Sequence, residues 1–428
     1  MKTYDLSVLS TREKLSLVKR PASGGPAFRT AAATVCRAVQ TEGDAALKRY
    51  TRQFDGVDVN ELRVPAREIE SARDRLSPDL LEAIRTAIRN VTAFHRGQGF
   101  TPVWVESVPG VLCWREVRPI GRVGLYVPAG SSPLPSTLVM LGVPALLAGC
   151  DEVVVCSPPD VNGAIHAAIL ATAHELGIRE VYRVGGAQAI GAMAFGTESI
   201  PRVDKIFGPG NAYVTAAKQY VSIDPDGAAI DFAAGPSELL IIADASADPV
   251  LLAADLLSQA EHDPSSQVVL VCTNPGTPDR VADLIRARVG DAPRKEIIER
   301  SLLNSYIVVA SSLEEAVAFS NLYAPEHLQL NISSPQDCVP SIRNAGSVFL
   351  GAWSPVTAGD YASGTNHTLP TAGAAIAGSG VSVESFTKTT SFQTLTRSGL
   401  SSLSPTLLTL SRAEGLEEHA RAVEVRLS

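Results

Sequence analysis

The pattern of hydrophobic and polar positions divides the chain into a helical start followed by strands that alternate with helices. Over residues 30–54 and 77–94, apolar side chains recur at spacings of three and four among charged ones, which predicts amphipathic helices. From Arg118 the pattern changes to short β-branched runs that each end in Gly or Pro: GRVGLYV, DEVVVCSPP, REVYRVGG and VDKIFGPG. The segments between these runs are long enough for crossover helices, so this part predicts a largely parallel sheet built from βαβ units.

A second series of similar plan begins at SELLIIAD and continues through SQVVLVC, SYIVVA, HLQLNI and GSVFLG, with helical patterns over 249–261, 279–289 and 313–322. The two series show no clear sequence repeat. A stretch rich in Gly, Ser, Thr and Ala follows, and then a charged helical tail over 412–426, which suits an arm packed on a partner. We therefore expect an α/β fold in four parts: a helical N-terminal region (1–105), a first α/β domain (106–235), a second α/β domain (236–375) and a C-terminal arm (376–428).

Composition and charge narrow the class of protein. The chain has 428 residues, of which 45% are hydrophobic, and this is enough to build a folded core. Its net charge of −8 and the absence of any block of basic residues argue against nucleic-acid binding. Residues 123–150 carry no charge over a length that could span a bilayer, but four prolines interrupt them, so a buried strand, loop and helix is expected instead of a membrane span.

The expected compartment follows from the start of the chain and from its cysteines. The first 20 residues scatter charges among the apolar positions and lack the apolar core of a secretory signal. The six cysteines form no CxxC pair and are too sparse for a disulfide framework. We expect a cytoplasmic protein with reduced thiols and no membrane partner.

Three segments combine side chains that could bind a metal ion or transfer a proton. Gln259 and His262 are three residues apart near the end of a predicted helix, so they share a face and could bind one metal ion, or form an ordinary polar helix end. Glu326 and His327 lie side by side at the start of a predicted strand, where they could act as acid–base groups or belong to a surface turn. The glycine-bounded loop from Gly359 to His367 could bind a ligand or be a polar turn.

The remaining polar positions favour simpler readings. Glu414 and His419 lie five residues apart in the charged tail, so they would lie on neither the same face nor opposite faces of a helix. The simpler interpretation is that both belong to a solvated helix. His95, His166 and His174 lie in polar helical patterns and are predicted to be solvated. Three glycine-containing turns, LYVPAG, VGGAQAIG and FGPGNAYV, follow strands of the first series, but none fits the GxGxxG dinucleotide fingerprint. Nucleotide binding through backbone amides and helix starts stays open.

Taken together, these segments resemble the histidinol dehydrogenase family from about Gly121 to the C-terminus. The resemblance is carried by GLYVPAGSSPLPSTLVML, VGGAQAIGAMAFGTESIPRVDKIFGPGNAYVTAAKQYV, DFAAGPSELLIIAD, DLLSQAEHDPSSQ, NLYAPEHLQL, GSVFLG, AGDYASGTNHTLPT and AEGLEEHARAV. It implies two similar incomplete Rossmann-like domains and a C-terminal arm exchanged in a homodimer. It also implies oxidation of L-histidinol to L-histidine through L-histidinal with two NAD, the last step of histidine biosynthesis.

The resemblance also implies the residues of the site. One zinc ion per subunit would be held by Gln259, His262, Asp360 and His419. Substrate contacts would come from Ser237, Gln259, His262, His327, Asp360, His367, Glu414 and His419. NAD would be bound by Tyr126, Gln188 and Asn211, one from each of the three turns. His327 would be the general base and Glu326 would activate water, while Glu414 and His419 would complete the site of the other protomer.

Three alternatives stay open at this point. A cysteine nucleophile, Cys113 or Cys150, could form a covalent thiohemiacetal in place of the hydrate. A zinc hydrolase could use a Glu–His pair with metal-bound water but would need no nicotinamide turns. A non-enzymatic binding protein of two α/β lobes would account for the fold but not for the residues of metal-ligand type.

Overall fold

The order of elements along the chain begins with a short strand that the sequence pattern did not indicate. The computed structural model describes residues 1–20, 25–99, 102–129, 132–233 and 235–428. The chain starts with β1 (Lys2–Asp5) and α1 (Thr11–Leu17). β1 pairs in parallel with residues 306–309, far along the chain. A strand of four residues at a sheet edge is too short to show a period, which is why only helices were expected here.

Four helices follow: α2 (Pro26–Glu42), α3 (Asp44–Asp55), α4 (Ala66–Ser71) and α5 (Pro78–Arg96). The expectation of one continuous helix over 30–54 is wrong, because the chain breaks at Gly43. This residue has a φ of +57°, and a Cβ there would lie 2.2 Å from the Glu198 carboxylate. Only glycine fits that turn without strain. The hydroxyl of Ser77 accepts a hydrogen bond from the Leu80 amide and caps α5.

A small antiparallel sheet connects the helical start to the C-terminal part. Its strands β2 (Trp104–Val108) and β3 (Val111–Pro119) form a hairpin, and residues 387–395 pair along the full length of β3. The rings of Trp104 and Trp114 stack with centroids 4.6 Å apart, and Phe392 stacks on the other side of Trp114.

The first parallel sheet contains the predicted strands of the first series. It consists of β4 (Arg122–Tyr126), β5 (Glu152–Ser157), β6 (Glu180–Arg183), β7 (Lys205–Phe207) and β8 (Ala229–Ile230), in the spatial order β6-β5-β4-β7-β8. The helices between these strands are α6 (Pro135–Ala148), α7 (Ala167–Leu176), α8 (Gly186–Phe195) and α9 (Ala212–Ile223). Residues 123–126 thus lie in β4 and residues 135–148 form the buried helix α6, as predicted. Among the described helices, none is long and apolar enough to cross a membrane.

The second parallel sheet contains β1 and the strands of the second series. These strands are β9 (Glu238–Ala243), β10 (Gln267–Cys272), β11 (Tyr306–Val309), β12 (His327–Asn331) and β13 (Ser347–Leu350). The accompanying helices are α10 (Pro249–Ala260), α11 (Thr277–Val289), α12 (Lys295–Leu303), α13 (Leu313–Tyr323), α14 (Pro335–Cys338) and α15 (Val356–Tyr361). The spatial order is β1-β11-β10-β9-β12-β13.

The two parallel sheets share one topology, although their sequences show no clear repeat. If the strands of each series are numbered along the chain, both sheets have the order 3-2-1-4-5, and β1 extends the second sheet next to its third strand. This is the strand order of one Rossmann-type unit, with a switch point between strands 1 and 4. The predicted α/β class with parallel sheets is therefore confirmed, and exchange of the arm in a dimer stays a prediction.

The C-terminal part consists of β14 (Thr387–Leu395), which completes the antiparallel sheet, followed by α16 (Arg397–Ala413) and α17 (Glu417–Leu427). The expectation of one helix over 412–426 is wrong, because the chain turns between the two helices. Gly415 has a φ of +72°, a left-handed conformation that ends a helix at low cost only in glycine. Glu414, the residue that follows α16, and His419 in α17 consequently lie on opposite sides of this turn.

Candidate active site

The predicted catalytic pair lies where β12 begins, at the edge of the second sheet from which its strands start. We call this the amino edge, and the opposite edge, where strands end, the carboxyl edge. Helix α13 ends at Tyr323, and the turn through Ala324 and Pro325 leads to Glu326 and His327. Both side chains are buried, with residue exposures of 6% and 4%. Since His327 pairs with Leu239 across β9 and β12, both residues lie beside the start of β9.

The imidazole of His327 is held by one backbone bond. Its Nδ1 lies 2.9 Å from the Glu238 carbonyl oxygen, which can only accept a hydrogen bond. Nδ1 therefore carries a proton, and Nε2 is the free basic nitrogen of the neutral ring. Nε2 is buried, has no hydrogen-bond partner in the described part of the chain, and lies 3.8 Å from an oxygen of Asp360. This geometry leaves a proton-accepting nitrogen facing the space beside Asp360.

Carboxylates surround the ring. Oε2 of Glu326 lies 3.3 Å from His327 Nδ1 and accepts a 2.7 Å hydrogen bond from the Glu238 backbone N–H. Burial alone would lower the pKa of His327, but the charges of Glu326 and Asp360, together with hydrogen bonds to its ring, outweigh this effect and raise that pKa to about 9. The site therefore favours positive charge.

The loop after α15 brings His367 to the same cluster. Burial lowers the pKa of His367, against the opposing charge of Asp360, and its Nε2 is buried with no partner in the described residues. The neighbouring Asn366 anchors the loop by donating to the Met140 carbonyl of α6 at 2.6 Å, and its amide lies 3.3 Å from His95 Nε2. His95 is fully buried, so the prediction that it is solvated is wrong. A single histidine on an amphipathic helix gave no signal of this long-range contact.

Of the predicted metal ligands, Gln259 lies in the last turn of α10, whereas His262 lies two residues beyond its end, so the two do not share a helical face as expected. This helix runs antiparallel to the strands, so its last turn reaches the amino edge. Burial raises the pKa of Tyr361 in α15, and the charges of Asp360 and of Glu261, which directly follows α10, add to this rise. Gln259 is 2% exposed, whereas His262 is exposed. Among those residues, no three His, Cys, Asp or Glu side chains form a potential metal site.

The remaining substrate and metal candidates divide into two groups. Ser237 directly precedes β9 at the amino edge and is half-buried. Glu414 ends α16 and His419 lies in the first turn of α17, and both are exposed with no side-chain hydrogen bond or ion pair to the part of this chain that is described. Their participation in a site stays a prediction.

The predicted NAD residues lie together at the carboxyl edge of the first sheet. Tyr126 ends β4, Gln188 lies in the first turn of α8 and Asn211 caps α9 by accepting from two backbone amides. The Tyr126 hydroxyl accepts a 3.1 Å hydrogen bond from the Gly186 amide, and burial raises the pKa of this phenol to about 12. Oε1 of Gln188 is buried without a partner among the described residues. Gly130 of the first turn lies outside the described residues.

The turn that carries Asn211 is fixed by a buried ion pair. Lys218 and Asp231 are in contact, Lys218 donates to the Gly208 carbonyl at 2.9 Å, and the Gly208 amide donates to Asp231 at 2.9 Å. Gly208 has a φ of +120°, and a Cβ there would lie 2.2 Å from the Tyr126 carbonyl oxygen. The ion pair therefore binds both the N–H and the carbonyl of Gly208. The Cα of this glycine lies against the end of β4, at the switch point of the first sheet.

Comparison with known proteins decides the family. The model of the histidinol dehydrogenase family matches residues 18–427. The chain belongs to the histidinol dehydrogenase family. It is 50% identical to histidinol dehydrogenase of Vibrio parahaemolyticus, over all of this chain and 98% of that protein. It is 48% identical to histidinol dehydrogenase of Xanthomonas euvesicatoria, over all of this chain and 99% of that protein. A crystal structure of histidinol dehydrogenase from Elizabethkingia anophelis matches with a TM-score of 0.95 at 47% identity, covering all of this chain and 98% of that one.

As a member of the histidinol dehydrogenase family, the chain is an NAD-dependent oxidoreductase. Its thiols do not support the covalent alternative. Cys150 lies between α6 and β5, at the amino edge of the first sheet, and burial raises its pKa to about 11. Cys113 lies in β3 of the antiparallel sheet, paired with Gln393. Neither belongs to the amino edge of the second sheet, where Glu326 and His327 lie.

Sequence reasoning missed two residues of this site, Glu238 and Arg20. The backbone of Glu238 contacts both members of the catalytic pair, and its side chain is paired with Arg20. The available signal was one acidic residue at the start of the otherwise apolar strand SELLIIA. A buried strand carries a charge only when another group neutralises it.

Proposed function

We propose that this protein oxidises L-histidinol to L-histidine through L-histidinal, with two NAD⁺ consumed, as the last step of histidine biosynthesis. The family match supports the reaction. The observation that carries the assignment of the base is the bond from His327 Nδ1 to the Glu238 carbonyl. It leaves Nε2 basic, buried and directed to the side where Asp360 lies, as a general base requires.

In the first oxidation, His327 Nε2 takes the hydroxyl proton of the alcohol. At the same time, a hydride passes to NAD⁺ from the carbon that carries this hydroxyl. The Glu238 carbonyl continues to accept the Nδ1 proton, so the ring keeps its orientation when it becomes charged. Glu326, 3.3 Å from Nδ1, stabilises the imidazolium. The product of this step is the aldehyde.

In the second oxidation, Glu326 removes a proton from the water that adds to the aldehyde. One carboxylate oxygen is fixed by the Glu238 N–H, and the other makes no hydrogen bond to the described residues and is available to water. As water adds, His327 returns its first proton to the aldehyde oxygen, which forms the hydrate and frees Nε2. His327 then takes a hydroxyl proton of the hydrate as the second hydride leaves for a second NAD⁺, which gives the carboxylic acid. Holding the aldehyde between the steps prevents its loss to solvent.

The substrate is proposed to contact side chains from the amino edge of the second sheet and from the arm. They are Ser237, Gln259, His262, His327, Asp360, His367, Glu414 and His419. The buried, unpartnered Nε2 of His367 supports its inclusion, since an uncharged imidazole with a free nitrogen can bond to a polar ligand.

One zinc ion per subunit is proposed at the same edge, held by Gln259, His262, Asp360 and the His419 of a second copy. Nitrogen and oxygen donors without thiolate suit zinc in a site that also binds a ligand. Gln259 is 2% exposed, and its amide oxygen is a donor of the type that fits this use. When bound, the ion would orient the substrate through the imidazole and amino nitrogens of L-histidinol. By offsetting the charge of Asp360, it would also lower the pKa of His327 toward the range of a general base.

NAD⁺ is proposed to bind at the carboxyl edge of the first sheet, through Tyr126, Gln188 and Asn211. The position of these residues beside the switch point between β4 and β7 supports the proposal. The protonated phenol of Tyr126 and the amides of the other two can donate hydrogen bonds to the cofactor.

The reaction is tested by its stoichiometry. With L-histidinol as the limiting substrate, we expect two NADH per L-histidinol, measured by absorbance, and L-histidine as the product. Removal of metal by a chelator should abolish the reaction, and zinc should restore it. One NADH per substrate with L-histidinal accumulating would contradict the four-electron reaction, and full activity in metal-free protein would contradict the zinc site. A hydrolase would produce no NADH.

We further propose a cytoplasmic homodimer in which the arm of each chain completes the site of the other. Coexpressed His327→Asn and His419→Ala chains should then form heterodimers with one intact site, because the two changes meet in the same site and leave the other unaltered. Random pairing predicts recovery of about a quarter of wild-type activity. The matched control is coexpression of His327→Asn with Glu326→Gln, which both change the body of the chain and should give no recovery. An inactive first mixture with dimers present would overturn the shared site.

A further inference from the structure

Arg20 is far in sequence from Glu326 and His327, but its side chain contacts residues that adjoin both of them. Its guanidinium forms a two-bond fork with the Glu238 carboxylate, with Nε to Oε1 at 2.9 Å and Nη2 to Oε2 at 2.8 Å. The side chain of Arg20 is 12% exposed and that of Glu238 is 2% exposed. A fork of this kind fixes the orientation of both planes as well as their separation.

Glu238 connects this ion pair to the catalytic pair through its backbone. Its N–H donates to Glu326, and its carbonyl accepts from His327. The carboxylate also accepts a 2.9 Å hydrogen bond from the Ala372 amide. The side chain of Glu238 is thus held on one side while its peptide groups orient Glu326 and His327 on the other.

Arg20 also holds the turn that leads into β12. Nη2 donates to the Ala324 carbonyl at 3.3 Å, and the guanidinium carbon lies 3.4 Å from the centroid of the Tyr323 ring. Ala324 has a φ of +51°, a left-handed conformation that is strained in any residue with a Cβ. Such a turn persists only when its surroundings hold it. Arg20 therefore contacts both segments that determine where Glu326 and His327 lie, the start of β9 and the turn before β12.

From this geometry we infer that Arg20 is a positioning residue for catalysis, which acts through Glu238 and Ala324 to orient His327 and Glu326. The inference rests on the catalytic roles proposed above for that pair. It assigns a function to the N-terminal segment, which supplies β1 to the second sheet and ends, in its described part, at Arg20. Burial raises the pKa of Glu238, and the pairing with Arg20 opposes this rise.

The first test is Arg20→Met, with Arg20→Lys as the conservative variant. We expect kcat to fall about 10- to 100-fold in Arg20→Met, since a shift of about 1 Å in a catalytic group has an effect of this size. Arg20→Lys should recover part of kcat, because it keeps the charge but loses the fork. KM for NAD⁺ should stay within about twofold in both, because the cofactor residues lie on the other sheet. The control is Arg85→Met, which removes a two-bond pair to Glu175 between α5 and α7.

A double variant separates positioning from stability. Arg20→Met/Glu238→Gln leaves no unpaired buried charge, so its melting temperature should return toward the wild-type value. If Arg20 positions the pair, kcat should stay low in this variant. Recovery of kcat together with the melting temperature, or an equal loss of kcat in Arg85→Met, would overturn the inference.

The outcome for His327→Asn distinguishes failure of this inference from failure of the proposed function. Wild-type kcat in Arg20→Met, measured beside an inactive His327→Asn, overturns the positioning role and leaves the proposed function in place. Wild-type kcat in His327→Asn overturns both. In the His327→Asn background, Arg20→Met should cause a smaller loss of kcat than in the wild type, because the part of its effect that passes through His327 is already lost.

Discussion

Replacement of His327 by Asn is expected to reduce kcat for L-histidinol oxidation by about 10²- to 10⁴-fold, the range in which a positioned general base contributes. Asparagine is close in size and its amide can donate to the Glu238 carbonyl, but it has no basic nitrogen to replace Nε2. Zinc content should be unchanged, because His327 is not among the proposed ligands. Steady-state NADH formation and metal analysis of the same preparation measure both quantities.

The control for this substitution is His174→Asn, in the last turn of α7 on the first sheet, which should retain activity within about twofold. Turnover close to that of the wild type in His327→Asn would remove His327 from the role of base. A loss of activity that came with a loss of zinc would move His327 into the metal site instead.

Replacement of Glu326 by Gln is expected to reduce oxidation of L-histidinal about 10²-fold or more and to have a much smaller effect on the alcohol step. The amide oxygen of glutamine can still accept from the Glu238 N–H, so the side chain should stay in place. It cannot take a proton from water, however, and hydration of the aldehyde depends on that transfer. Single-turnover experiments that start from L-histidinol or from L-histidinal measure the two half-reactions separately.

Glu315→Gln is the matched control, since Glu315 lies in the first turn of α13, at the opposite end of that helix from Glu326, and is paired with Lys14. It should leave both half-reactions unchanged within about twofold. An equal loss on both half-reactions in Glu326→Gln would show that Glu326 serves the alcohol step as well, and would contradict its assignment to water activation.

The parallel sheets were predictable from the sequence because strands buried on both faces are continuous apolar runs. VGLYV and VVVC predict β4 and β5 in this way, and LLIIA and VVLVC predict β9 and β10. Strand order is not local, so the shared 3-2-1-4-5 arrangement was not visible in the pattern. β14 was missed for another reason: KTTSFQTL is mostly polar and pairs with β3, more than 260 residues earlier in the chain.

The candidate site was predictable where residues of unusual type lie close together in sequence, as Glu326 and His327 do. Its supporting residues were not, because their role depends on distant contacts. His95 interacts with Asn366 and Arg20 with Glu238, and each pair is separated by more than 200 positions. Nothing in the local sequence of Arg20 distinguishes it from an exposed arginine.

The proposed use of opposite edges of two sheets with the same strand order would have an electrostatic consequence. At the carboxyl edge of the first sheet, α8 and α9 present their first turns, where the partial charge of a helix is positive. At the amino edge of the second sheet, α10 and α13 present their last turns, where it is negative. One protein thus offers an anion-attracting surface suited to a pyrophosphate and a cation-attracting surface suited to a metal ion and a substrate ammonium group. If both sites lay on the same edge of the two sheets, the helix ends would present partial charges of the same sign to both ligands.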